Sequence, residues 1–145
     1  MEDKRHFSVE EANALIPGLE IRFAKVMQLR AQLRAAYEEL ERVGEPPDAE
    51  TMSRSDGTPE VRRARGRFRA LMEALGEELE AIEQTGVTVK DLDIGLCDFL
   101  GLREGREVWL CWQYGEKQIR FWHDLDAGFS GRQPIDPKSS QGLLH

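Results

Sequence analysis

The strongest constraint in this chain is a change of hydrophobic period at Gly86. Val26, Leu29, Leu33, Ala36, Leu40 and Val43 recur at alternating steps of 3 and 4 residues, and Leu19 and Phe23 carry the same stripe upstream. Val61, Ala64, Phe68, Leu71, Leu75, Leu79 and Ile82 form a second stripe of the same kind. Such spacing places apolar side chains along one side of a helix and calls for a partner helix. After Gly86 the alternation shortens to two, the period of a strand. Only a helical pair followed by a small sheet satisfies both halves.

Local signals set the limits. Ser8 stands three residues before Glu11, with Phe7 ahead, which predicts a capping box and a helix start. Pro17 lacks a backbone donor and restricts Ile16, so a break or kink is expected there, leaving a short N-terminal helix. Gly44 predicts the end of the long helix, and 44–58 reads as a mobile loop. Thr58 and Pro59 suit the cap and first position of the next helix.

Beyond Gly86, two short strand-like pieces flank DLDIG, and REVWLCWQYGEKQIRFWHDL reads as a hairpin. A turn at Gly115-Glu116 pairs Trp112 with Ile119, Leu110 with Phe121 and Val108 with His123. In that register Cys111 faces away from His123. Trp109 and Trp122 lie opposite each other on the face turned from the helices. The expected fold is α+β: a long antiparallel helical hairpin (8–86) with a short N-terminal helix, packed on a small antiparallel sheet (87–124). An extended C-terminal arm (125–145) completes one domain of 145 residues.

Several functions are disfavoured by composition. Acidic residues number 27 and basic residues 20, a net charge of −7 that repels phosphate backbones, so nucleic acid is a poor partner. No apolar run is long enough to span a bilayer, and MEDKRHFSVEEAN lacks the apolar core of a secretory signal. Two cysteines, Cys97 and Cys111, are too few for a disulfide framework, which points to a reducing cytoplasm.

The segments FSVEEANALIPGL, DLDIGLCDFLGLREGREVWLCW and WHDLDAGFSGRQPI resemble a bacterial family of unknown function, domain family 2203. The resemblance spans nearly the whole chain, and the closing segment is its most specific part. It implies a cytoplasmic bacterial protein with a helical hairpin and small sheet. It brings no reaction, cofactor or catalytic residue with it.

Five constellations merit weighing. Asp91, Asp93, Asp98, His123, Asp124, Asp126 and Arg132 supply oxygen, imidazole and guanidinium groups from neighbouring loops. Asp93, Asp98 and His123 would be the ligands of a metal, but no spacing here matches a metal motif, and no cofactor is expected. Cys97 and Cys111 lack a partner that would lower a thiol pKa. RRARGRFR (62–69) concentrates five arginines, expected to pair with Glu38, Glu39 and Glu41 on the first helix. The glycine-rich hook around Arg132 either cradles an anion or seals the sheet edge, with Arg132 on Asp93 or Asp98. Trp109 and Trp122 form a candidate interface, which favours a homodimer or another protein partner. The preferred reading is a non-enzymatic interaction module. The alternative is a metal- or anion-dependent enzyme around Asp93, Asp98, His123 and Arg132.

Overall fold

Ser8 opens the first helix through a reciprocal pair of hydrogen bonds. In a computed structural model, which describes residues 5–135, the Ser8 N–H donates to Glu11 Oε1 at 2.9 Å and the Glu11 N–H to Ser8 Oγ at 3.0 Å. Helix α1 then runs Val9–Arg42 without interruption. The expected break at Pro17 and the separate N-terminal helix are therefore corrected. Proline inside a helix costs about 3 kcal/mol. The flanking Ile16, Leu19 and Phe23 are each at most 1% exposed, and burying such side chains contributes about 1.5–3 kcal/mol apiece. Their burial outweighs the missing bond, and Pro17 itself faces outward.

The chain divides into two units, residues 24–81 and the remainder. In the helical unit, Gly44 ends α1 at a φ of 77°. The Glu45 N–H reaches the Leu40 carbonyl at 2.8 Å and the Gly44 N–H the Glu41 carbonyl at 3.0 Å, the paired bonds of a Schellman close. Helix α3 (Pro59–Gln84) is capped by Thr58 Oγ1, which accepts from the Val61 N–H at 3.2 Å.

Between them, the expected mobile loop holds a short helix, α2 (Ala49–Ser53), capped by Asp48. The α3 arginines grip this segment. Arg65, 2% exposed, donates to the carbonyls of Arg54 (2.8 Å) and Asp56 and lies 3.6 Å from Glu45. Arg69 donates to the Met52 carbonyl at 2.6 Å. Arg65 and Arg69 thus hold loop backbone, where the sequence suggested Glu38, Glu39 and Glu41. Carbonyls of a connection that makes few ladder bonds are strong local acceptors for a guanidinium.

The second unit carries five antiparallel strands in sequential order: β1 (Thr88–Asp91), β2 (Leu96–Arg103), β3 (Arg106–Gln113), β4 (Phe121–Asp124) and β5 (Gln133–Pro134). Cys97, Phe99, Val108, Leu110 and Trp112 are all fully buried. Phe7 meets Phe99 edge-on at 5.1 Å between ring centroids, and Phe23 meets Trp112 at 5.9 Å. A Cβ at Gly101 would lie 3.2 Å from the Phe7 carbonyl oxygen and 3.1 Å from Leu110 Cγ, so glycine lets the incoming chain lie close against β2. β5 pairs with β4, so the hook covers that sheet edge as expected. Residues 136–145, the rest of the expected arm, lie outside the described residues.

The β3–β4 register differs from the expected one by a single residue. Val108 pairs with Asp124, Trp109 with His123, Leu110 with Trp122 and Cys111 with Phe121. The connection spans 114–120 and is a built structure. The Trp112 indole N–H donates to the Glu116 carbonyl at 2.9 Å, the Gln113 N–H to Glu116 Oε1 at 2.6 Å, and the Ile119 N–H to Asn13 Oδ1 at 2.6 Å. A one-residue slip exchanges the faces of every side chain on the strand. Trp122 therefore enters the core at 5% exposure, and His123 turns to the opposite face.

Candidate functional site

The corrected register creates a polar cluster on the sheet face away from Phe99, Leu110 and Trp112. Asp98 pairs directly with Cys111 across β2 and β3. His123 pairs with Trp109, two residues from Cys111 on the same face. Asp98, Cys111 and His123 each offer one donor atom, and these atoms all lie within 4.8 Å of one another. Asp98 and His123 are 2% exposed and Cys111 is fully buried.

The hydrogen-bond pattern fixes much of the chemistry. His123 Nδ1 lies 2.9 Å from the Asp124 carbonyl oxygen, which only accepts, so Nδ1 carries a proton. Nε2 lies 3.2 and 3.1 Å from the two Asp98 oxygens. In the tautomer set by Nδ1, Nε2 meets the carboxylate as a second acceptor, and a proton or another electrophile must sit between them. Burial pushes the Asp98 carboxyl up, against the opposing pull of His123, Lys90 and the Cys111 thiol. Burial, reinforced by the charge of Asp98, pushes the Cys111 thiol up to about 12. Lys90 Nζ is 3.8 Å from Asp98 Oδ2 and 4.2 Å above the Trp109 ring, forming a cationic cover.

Only two of the four residues expected to form a polar pocket converge, Asp98 and His123. Asp93 is exposed in the turn after β1, where its N–H donates to Asp91 Oδ1 at 3.0 Å. Arg132 sits on both Glu116 oxygens at 2.9 and 2.8 Å and stacks 4.0 Å over Phe121 and 4.6 Å over Phe129. Its expected pairing with Asp93 or Asp98 is corrected. Asp124 is taken by Arg106.

The tryptophan pair is also corrected. Trp109 and Trp122 are on opposite faces. Trp122 is buried with Arg103 4.4 Å over its ring, and Trp109 lies under Lys90. They do not form a joint exposed patch. Cys97 is a buried free thiol, on the same face of β2 as Phe99.

The expectation that Cys111 faces away from His123 fails with the register. One signal favoured the true pairing: it sends the bulky Trp122 inward and the polar His123 out of the apolar layer. Lys90 was passed over because nothing in its local sequence distinguishes it from a solvated strand residue.

A family model described as an uncharacterized conserved protein (DUF2203) matches residues 5–135. No curated protein matches the chain. No solved structure matches it either. Among the described residues, no helix is long and apolar enough to cross a membrane.

Proposed function

We propose that this chain, which belongs to the uncharacterized conserved family DUF2203, is a non-enzymatic interaction module that self-associates through its helical unit. The observation that carries this reading is an open groove of about 420 Å³ within residues 24–81. It is lined by Leu33, Tyr37, Phe68 and Leu75, with Arg30, Arg34, Glu38 and Glu41 along α1. Tyr37, which lines the groove, is 42% exposed, and Met72 on α3 is 49% exposed, high values for large, mostly apolar side chains that flank the two stripes.

The order of charges supports a second copy as the occupant. Along α1 the groove begins with Arg30 and Arg34 and ends with Glu38 and Glu41. A two-fold partner running antiparallel sets the arginines of one protomer against the glutamates of the other. The same helix laid on itself thus satisfies both ends, with Tyr37 near the centre. A bacterial cytoplasm is the proposed setting, supported by two buried free thiols.

Charge reversal tests this. Arg34→Glu and Glu38→Arg each change an exposed side chain, and each should shift the wild-type dimer toward monomer in gel filtration with light scattering. The double variant should restore the dimer, because reversed charges face reversed charges. Equal masses for all four proteins would overturn the proposal.

A further inference from the structure

We propose that Asp98, Cys111 and His123 form a binding site for a divalent transition metal ion of the zinc class, with Asp98 Oδ1, Cys111 Sγ and His123 Nε2 as ligands. This inference is independent of self-association. Its basis is a buried set of three donors of different chemistry, brought together from three adjacent strands.

Geometry comes first. Tetrahedral ligands at about 2.0–2.3 Å from zinc stand about 3.3–3.8 Å from each other. Here the imidazole and carboxylate are 3.1–3.2 Å apart, and all three donor atoms lie within 4.8 Å. Small side-chain rotations bring that triangle around an ion without moving the strands. Backbone pairing holds all three residues, so the site rests on the rigid part of the fold.

The outer contacts point the same way. A metal-bound histidine ordinarily donates its second ring N–H to a carbonyl or carboxylate. His123 has that partner in the Asp124 carbonyl, which leaves Nε2, turned toward Asp98, as the nitrogen that can ligate once the proton between them is displaced. Lys90 approaches Oδ2 of Asp98, the oxygen that the ion does not need. The side chain of Lys90 is 37% exposed, so the cover borders on solvent.

Donor type selects the ion. A thiolate with an imidazole and a carboxylate suits zinc, cobalt or ferrous iron and is poorly matched to calcium or magnesium. Three protein ligands leave one coordination position for water or another small ligand. Charge balances on binding. The ion displaces the Cys111 thiol proton and the proton shared between Nε2 and Asp98, so two positive charges enter and two leave. The cluster is otherwise costly, because a buried carboxylate stabilises a fold less than an apolar residue of the same size would.

The test is a cobalt titration of the full chain, purified without a histidine tag and stripped with chelator, followed by competition with zinc. The expected result is a single ion per chain, with a thiolate-to-cobalt charge-transfer band that Cys111→Ser abolishes. Asp98→Asn preserves the packing: its amide can donate to Nε2 while its oxygen accepts from the thiol. Circular dichroism should show this variant folded, with cobalt affinity reduced more than about 100-fold, beyond the loss caused by an outer-sphere partner. A wild-type chain that takes up no stoichiometric cobalt or zinc would overturn the proposal. So would a folded Asp98→Asn variant that binds cobalt as tightly as wild type.

Discussion

His123 and Asp98 face each other across the sheet, with Nε2 3.1 Å from Oδ2, although they stand 25 residues apart in sequence. Each is almost completely removed from water. The stability of the metal-free protein should therefore depend on pH through this contact. Burial raises the Asp98 carboxyl above its ordinary 3.8. A raised carboxyl binds its proton more tightly in the folded chain than in the unfolded one. Its contribution is fully present below the unfolded value and is lost as pH rises through the folded value. Asp98→Asn removes that loss. In chelator, the melting temperature of the variant should gain on wild type as pH rises above about 4, the ordinary carboxyl value. A gap that narrows over this range would contradict the assignment.

Thiol reactivity gives a second check. Burial raises both Cys97 and Cys111 from an ordinary 9.0 to about 12. This leaves about a thousandfold less thiolate at neutral pH than an exposed cysteine has. A thiol reagent should label neither cysteine in the native protein within minutes and both at once in denaturant. Rapid native labelling of Cys111 would mean that the Lys90–Trp109 cover opens readily.

Arg65 is expected to govern the connection between the long helices. Its guanidinium holds the carbonyls of Arg54 and Asp56, and bonds to a charged group contribute about 1.5–3 kcal/mol each. Arg65→Ala should lower stability by about 2–4 kcal/mol. Proteases should cut within 44–58 much faster in this variant. Arg69→Ala, which loses one bond from an exposed residue, should have a smaller effect on both. Equal protease resistance in wild type and Arg65→Ala would show that α2 holds the segment by itself.

What could be read in the sequence was local. The capping box at Ser8 and Glu11, the helix end at Gly44 and the Thr58–Pro59 start each depend on residues within one turn of chain, and each is present. The α+β class followed from the two hydrophobic periods. Pro17 was misjudged because its local penalty competes with the burial of Ile16, Leu19 and Phe23, which only tertiary packing supplies. The β3–β4 register was misjudged for a related reason. The bond from Ile119 to Asn13 spans 106 residues, and no turn rule contains it. Two of the three residues of the candidate site, Asp98 and His123, were legible as members of a polar cluster near the ends of apolar segments. Cys111 was lost with the register, since a one-residue slip decides which face it joins.

The proposed function is tested most directly by sedimentation velocity on the wild-type chain over a wide concentration range, in chelator. Self-association through the helical groove predicts a species of twice the 16.6 kDa chain mass that dissociates on dilution. A single species of 16.6 kDa at every concentration would contradict it.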